Sequence, residues 1–197
     1  TRSGCMLVAS GSAVLTDKPF PVSEGARYER MMERYSTAAA QIDSEFNGCH
    51  IHIGDLDRCE AVTLAGHLRP WLPVLQALAA NSPFAAGEFR NCASWRYYQQ
   101  QAWPTAGPTP LINGAMYETL AEDLVLSGVL MDRKMLYWYA RPSEHVPTLE
   151  IRVPDVTADV DTALLVAVLT RALASVFLTE ARQGVPGPGV EELEVRE

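Results

Sequence analysis

The segment His50-Ile51-His52-Ile53-Gly54 alternates strictly between imidazole and isoleucine side chains. Successive side chains of a strand take opposite faces, so His50 and His52 share one face and Ile51 and Ile53 the other. Thr148-Leu149-Glu150-Ile151-Arg152-Val153 repeats the pattern, with Thr148, Glu150 and Arg152 on one side and Leu149, Ile151 and Val153 on the other. A sheet with one solvated face alternates too, but it does not favour this choice of residues: two histidines, a carboxylate and a guanidinium. Imidazole nitrogen and carboxylate oxygen suit a divalent cation, and the fixed fork of Arg suits a phosphoryl or carboxylate group. On neighbouring strands, His50 and Glu150 could ligate one metal while Arg152 neutralises a transferring phosphate. The plainer alternative is that both histidines hydrogen-bond locally and Glu150 and Arg152 belong to a surface charge network. Alternation alone leaves both readings open.

The remaining candidates are less specific. His67 lies among apolar helix residues and reads as a partly buried side chain, while His145 sits in a loop between two prolines. Arg90, Arg96 and Arg141 could clamp a substrate, although lone arginines are usually exposed or salt-bridged. Four cysteines (Cys5, Cys49, Cys59, Cys92) show no CxxC pair, which points to reduced thiols rather than a zinc knuckle or disulfide framework.

Four helices are expected to position these residues. The first spans about Glu24 to Ile42, with Tyr28, Met31, Met32, Tyr35, Ala39 and Ile42 at three- and four-residue spacing. The second follows Asp57, where Asp57 and Glu60 form a capping-box pattern, and Pro70 and Pro73 predict a kink or two shorter helices. The third, near Asn113 to Leu126, ends towards Gly128, a left-handed cap. The fourth, about Asp159 to Arg182, is apolar nearly all round and is expected to be the most buried. Strands are expected over Cys5–Ser10, Gly48–Ile53, Lys134–Arg141 and Thr148–Val153. Residues from Asn81 to Pro110 read as a long irregular loop, a lid or binding loop by its length. Its six aromatics, Phe84, Phe89, Trp95, Tyr97, Tyr98 and Trp103, could close over a substrate or form a satellite core. Residues 184–197 read as a Pro/Gly/Glu-rich tail, leaving 1–183 as one domain.

The whole chain sets limits on function. It has 197 residues, 48% of them hydrophobic and 20% charged, with a formal net charge of −8. That apolar content excludes disorder for most of the chain. The acidic balance disfavours a duplex nucleic-acid binder, which needs a Lys/Arg surplus against phosphate. The longest apolar stretch, Leu164 to Leu178, is interrupted by Thr170, Arg171 and Ser175, short of the ~18 uninterrupted residues of a membrane span. The expectation is a soluble, cytoplasmic α+β domain: a curved, mostly antiparallel sheet with helices on its apolar face and the polar side forming the site. The opening Thr1 suggests a processed or excised chain.

Several segments, in order, resemble the carboxylate–amine ligases of the glutamate–cysteine ligase type 2 family. They are residues 48–54, Leu68-Arg69-Pro70-Trp71-Leu72-Pro73-Val74-Leu75, Asn81-Ser82-Pro83-Phe84, Trp103-Pro104-Thr105-Ala106-Gly107-Pro108, Tyr137-Trp138, Arg141-Pro142-Ser143 and residues 147–152. Arg27-Tyr28 with Met31 resembles the family's helix before the histidine strand. The resemblance implies a partial glutamine synthetase-like catalytic fold and an ATP-dependent ligase using Mg2+ or Mn2+. By that similarity His50 and Glu150 would be metal ligands, His52 would lie near the nucleotide phosphates, and Arg152 would stabilise the transferring phosphoryl group. Arg141 would act beside it, and Ser94, Arg96 and Arg141 would line the carboxylate-substrate pocket. The implied substrates are small molecules: a carboxylate, first of all the γ-carboxyl of glutamate, and an amine such as cysteine.

Departures from the family pattern carry expectations of their own. The family's opening Gly-Val-Glu-Glu-type strand and a further acidic strand do not precede Thr1, and its Gly-Thr-His-Pro-like turn reads here as Gly11-Ser12-Ala13-Val14. Gly189-Val190-Glu191-Glu192 matches the opening motif by letter but follows a Pro/Gly linker, and reads as coincidence. These departures predict a homo-oligomer, or a second chain supplying the acidic strands, because an unpaired sheet edge is a liability. They also leave open a non-catalytic, nucleotide-binding or partner subunit; a metal-dependent hydrolase using the His50/His52 pair is a third reading, which fits the metal but not the ordered motifs.

Overall fold

A computed structural model describes residues 4, 6–16, 23–42, 44–185 and 187. The chain is α+β, as expected, with three of its helices packed against one face of a small antiparallel sheet. In order the elements are α1 (Ala26–Arg34), α2 (Ser36–Gln41), β1 (Ile51–Gly54), α3 (Arg58–Leu68), α4 (Leu72–Leu78), β2 (Phe84–Ala85), β3 (Glu88–Phe89), α5 (Trp95–Gln100), α6 (Gly114–Leu126), β4 (Ala140–Pro142), β5 (Thr148–Ile151) and α7 (Val160–Arg182). Two 3-10 turns, Arg69–Trp71 and Arg133–Met135, complete the set.

The sheet carries the site. Its strand order is β1-β5-β4, antiparallel throughout, with Ile51 opposite Ile151, His52 opposite Glu150 and Arg141 also opposite Glu150. Period-two alternation therefore places His52, Glu150 and Arg141 in one row across three strands, while Ile151, Leu149 and Ala140 point into the core. That core packs the strand residues against Leu64, Ala65 and Leu68 of α3, Leu72 and Leu75 of α4, and Val166 and Ala174 of α7. A second cluster holds Val62, Tyr117, Ala121, Leu130, Met135, Leu136 and Trp138, with Met31 and Tyr35 packed against it.

Local chemistry explains the helix ends. Asp57 accepts from the Glu60 backbone N–H at 2.8 Å while the Glu60 carboxylate accepts from the Asp57 N–H at 3.2 Å, the expected capping box. Pro70 and Pro73 fall at the starts of the 3-10 turn and of α4, where a missing N–H costs nothing, so the predicted interruption occurs there. Gly128, at φ 81°, closes α6 in the left-handed conformation.

Other expectations are corrected. The first helix is two: the backbone leaves the helical region at Tyr35 (φ −111°, ψ 34°), and neither half contains a buried residue. The segment from Lys134 to Tyr139 is a 3-10 turn and an irregular connection, and only Ala140–Pro142 pairs as a strand. No strand forms over residues 6–10, although Ser12 bridges Phe46; Cys5 lies outside the described residues. Residues 81–110 are not structureless. They hold the β2–β3 hairpin, turned by Ala86 and Gly87 at positive φ, and α5, capped by the Ser94 side chain. Their aromatics neither form one core nor one lid: Phe84 pairs with Phe89, Trp95 and Tyr97 with Tyr98, and Trp103 with Tyr137.

The largest correction concerns α7. Only Val166, Thr170 and Ala174 are buried, a single edge against α3 and α4. Leu164, Leu165, Val168 and Val176 are each about half exposed or more. By length and composition α7 could also cross a membrane, which one helix supports only weakly. Most of residues 184–197, with the Gly189–Glu192 segment, lies outside the described residues.

Candidate functional site

The polar row of the sheet converges on Glu150. One carboxylate oxygen accepts from Arg152 Nη1 at 2.6 Å and lies 2.8 Å from His50 Nδ1, and the other accepts from Arg141 Nε at 2.9 Å. His52 sits further off, with Nε2 4.0 Å from the same oxygen, and its Nδ1 pairs with Thr148 Oγ1 at 2.8 Å. Two strands bring these groups together because positions 50 and 52 of one and 148, 150 and 152 of the other project to one face, and β4 adds Arg141 alongside.

The electrostatics follow from that packing. Burial alone would raise the Glu150 carboxyl, but the His50 hydrogen bond and the charges of Arg152 and Arg141 outweigh it and hold the group well below the usual carboxylate range. Burial lowers His50 despite its bond to Glu150, and the Arg152 charge adds to the lowering. A neutral His50 donates from Nδ1 to Glu150, so Nε2 is the ring nitrogen with a free lone pair. Arg152 is lowered from its ordinary value by burial and then by Arg141, and it stacks 5.8 Å from the Tyr137 ring centre.

Beside this cluster lies a cavity of about 390 Å³ walled by Phe46, His50, Arg96, Trp103, Tyr137 and Arg152. Among the described residues, the Nε atoms of Arg96 and Arg152 are both buried without a hydrogen-bond partner. Two guanidinium groups and an aromatic wall suit a small ligand bearing an oxyanion.

The residues singled out in the sequence thus divide. His50, Glu150, Arg141 and Arg152 are in direct contact, and His52 flanks them. Arg141 also donates from Nη1 to the Lys134 and Leu136 carbonyls at 2.8 and 2.7 Å, which anchors the 3-10 turn. Arg96 reaches the cavity wall, yet its two terminal nitrogens donate to the backbone carbonyls of Val153 and Arg152. Ser94 stands apart: its hydroxyl donates to Asp155 at 3.1 Å, and the residue borders a separate cavity between α4 and α5. The sequence reading named Trp103 among the aromatics that could close over a substrate, but it did not single out Tyr137 as a wall residue, nor Asp155, which is 1% exposed. An acid flanked by Pro154 and Val156 next to a strand end is the one signal that could have marked Asp155, since such a group needs buried partners.

As metal ligands, His50 and Glu150 present the right types in the right protonation states, a neutral imidazole and an ionised carboxylate. They are two donors where Mg2+ takes about six, and Glu150 is already shared by three side chains. Among the described residues no group of three or more His, Cys, Asp or Glu side chains could hold an ion. The pair therefore fits part of a coordination shell and not a whole one.

Comparison with known proteins places the chain in a family. The model of glutamate-cysteine ligase family 2 (GCS2) matches residues 1–189. A protein of Salinispora tropica named "Putative glutamate--cysteine ligase 2" is 43% identical over 183 residues, 92% of this chain and 48% of its own length. A protein of the same name from Salinispora arenicola is 42% identical over 189 residues, 95% of this chain and 50% of its own. One from Saccharopolyspora erythraea, of the 2-1 type, is 46% identical over 171 residues, 86% and 44% of the two chains. The chain spans about half the length of these curated relatives.

Proposed function

The chain belongs to glutamate-cysteine ligase family 2, and on that premise we propose that it serves an ATP-dependent carboxylate–amine ligation. One observation carries the reading: the sheet presents Glu150 ionised between Arg141, Arg152 and His50, beside a cavity lined by two arginines. The proposed chemistry has two steps. A substrate carboxylate, in the first instance the γ-carboxyl of glutamate, attacks the γ-phosphorus of ATP, forming a carboxyl–phosphate bond as the bond to ADP breaks. An amine, with cysteine as first candidate, then attacks the acyl carbon; phosphate leaves and the nitrogen loses a proton to give the amide.

In this reading Arg152 sets its charge against the phosphoryl oxygens, where fixed positive charge counts most. Glu150 holds Arg152 and Arg141 in place, and His52 borders the nucleotide phosphates. Arg96 and Arg141 face the carboxylate substrate, with Ser94 supporting α5 from its far end. Mg2+ or Mn2+ accompanying the nucleotide would be held by His50 and Glu150 together with oxygens from outside this pair, and it would offset charge on the phosphate oxygens. The glutamine synthetase-like form of the complete sheet, a cytoplasmic location and a homo-oligomeric or two-chain assembly belong to the same proposal. A non-catalytic, nucleotide-binding role is the second reading, favoured by the incomplete metal shell.

Calorimetric titration with a non-hydrolysable ATP analogue, with and without Mg2+, tests the proposal. Mg2+-dependent binding that Glu150→Gln abolishes supports it. Nucleotide affinity unchanged by Glu150→Gln removes Glu150 from the site.

A further inference from the structure

Asp155 lies just beyond β5, bridged in antiparallel fashion to Gly48 at the foot of β1. One carboxylate oxygen accepts from Ser82 Oγ at 2.6 Å and from the Asn81 backbone N–H at 3.0 Å. The other accepts from Ser94 Oγ at 3.1 Å and faces Arg96 Nη1 at 3.5 Å. Ser82 Oγ in turn accepts from the Arg96 backbone N–H at 3.1 Å, so Asp155 grips both the main chain and the side chain of Arg96.

Arg96 passes that grip on. It is 3% exposed, and its Nη1 and Nη2 donate to the Val153 and Arg152 carbonyls at 3.1 and 2.9 Å. The backbone that carries Arg152 is therefore pinned from beneath, while Arg152 Nη1 reaches Glu150 from above. Two glycines make room for the device. A Cβ at Gly48 would collide with the Arg96 guanidinium, and one at Gly11 would lie 2.6 Å from Asp155 Cγ. A buried, paired carboxylate beneath a buried guanidinium is costly to assemble for stability alone, since apolar residues of similar volume often serve as well.

We propose that Asp155 is a positioning residue: through Arg96 it fixes the backbone of Arg152 and so aims the Arg152 guanidinium at Glu150 and the adjoining cavity. This rests on the ligase reading for its consequence in catalysis, but not for its geometry. No ligand touches Asp155 in this scheme; its effect runs entirely through Arg96.

Arg152 Nε–H exchange, followed by NMR in the ligand-free chain, reads the geometry directly. Asp155→Asn places an amide donor among donors and is expected to speed Arg152 Nε–H exchange at least ~tenfold, with the Ile51 and Glu150 amides still protected. Arg96→Lys keeps the charge beside Asp155 but loses the fork, and is expected to release Arg152 in the same way. It decides the matter if Asp155→Asn does not fold. Unchanged Arg152 exchange in the folded variant, or equal loss of protection at Arg152 and the sheet amides, overturns the proposal. The nucleotide titration is run in parallel. A wild-type chain that binds no nucleotide counts against the ligase reading alone, whereas the Arg152 exchange test stands independently.

Discussion

At the scale of single residues, His50 and Glu150 form one hydrogen-bonded pair but answer to acid at different points. Glu150 is held below its ordinary value, so on acidification the unfolded chain takes up this proton before the folded one does. Its stabilisation is whole above ~4.3, the ordinary Glu value, and is lost progressively as pH falls below that towards the folded value. His50 is also lowered, and because its neutral form is the folded one, acid costs stability as soon as pH drops below ~6.5. Melting temperature measured from about pH 7.5 to 3.5 should therefore fall in two steps. His50→Gln should remove the upper step. Glu150→Gln should flatten the lower one and cost roughly 3 kcal/mol at neutral pH, because two partly buried guanidinium groups lose their shared anion. A profile for Glu150→Gln parallel to wild type would show that the pair does not set the carboxylate's proton affinity. His50→Ala should leave the fold intact while weakening metal binding, and a large thermal loss would return His50 to the role of a packing residue.

Elements show which parts of the molecule were legible and why. Asp57→Ala removes the acceptor for the Glu60 N–H at the start of α3 and should cost about 1 kcal/mol in chemical denaturation. Gly48→Ala should cost more, about 1–3 kcal/mol, because its methyl group meets the fixed Arg96 guanidinium rather than a yielding side chain. A Gly48→Ala variant as stable as wild type would mean that Arg96 is not held where it lies. The capping box and the strand alternation could be read from the sequence because each is a local rule of three or two residues, and local order won. The alternation brought His50, His52, Glu150 and Arg152 to one face before any fold was known. The β2–β3 hairpin escaped because two-residue strands have no period, and its turn uses Ala86 at φ 51°, which Gly87 alone does not announce. Asp155 escaped for another reason: its partners come from residues 81, 82, 94 and 96, a convergence that no spacing encodes.

Across the whole molecule, α7 ties the core to a surface that its composition does not explain. A helix apolar nearly all round is expected inside a protein, yet this one fully buries only Val166, Thr170 and Ala174, packs Leu169, Leu173, Phe177 and Leu178 partly against the core, and leaves Leu164, Leu165, Val168 and Val176 on its outer side. At 3.6 residues per turn those four fall within an arc of about 120°, on the side of the helix opposite the buried edge. Contiguous exposed apolar surface of this kind marks association surfaces in soluble proteins. The net charge of −8 opposes such association by repulsion, but α7 itself is balanced, with Asp161 and Glu180 against Arg171 and Arg182, so the helix adds no net charge of its own to resist contact. The expected outcome is reversible, concentration-dependent self-association of the chain in sedimentation velocity. The double variant Leu165→Lys/Val168→Lys should abolish it, and should change folding stability by no more than roughly 0.5 kcal/mol per site because both side chains are already exposed. A wild-type chain that stays monomeric over a wide concentration range would detach the stripe from self-assembly. Loss of stability together with association would instead mean that these side chains are packed within the folded chain, contrary to the arrangement of α7.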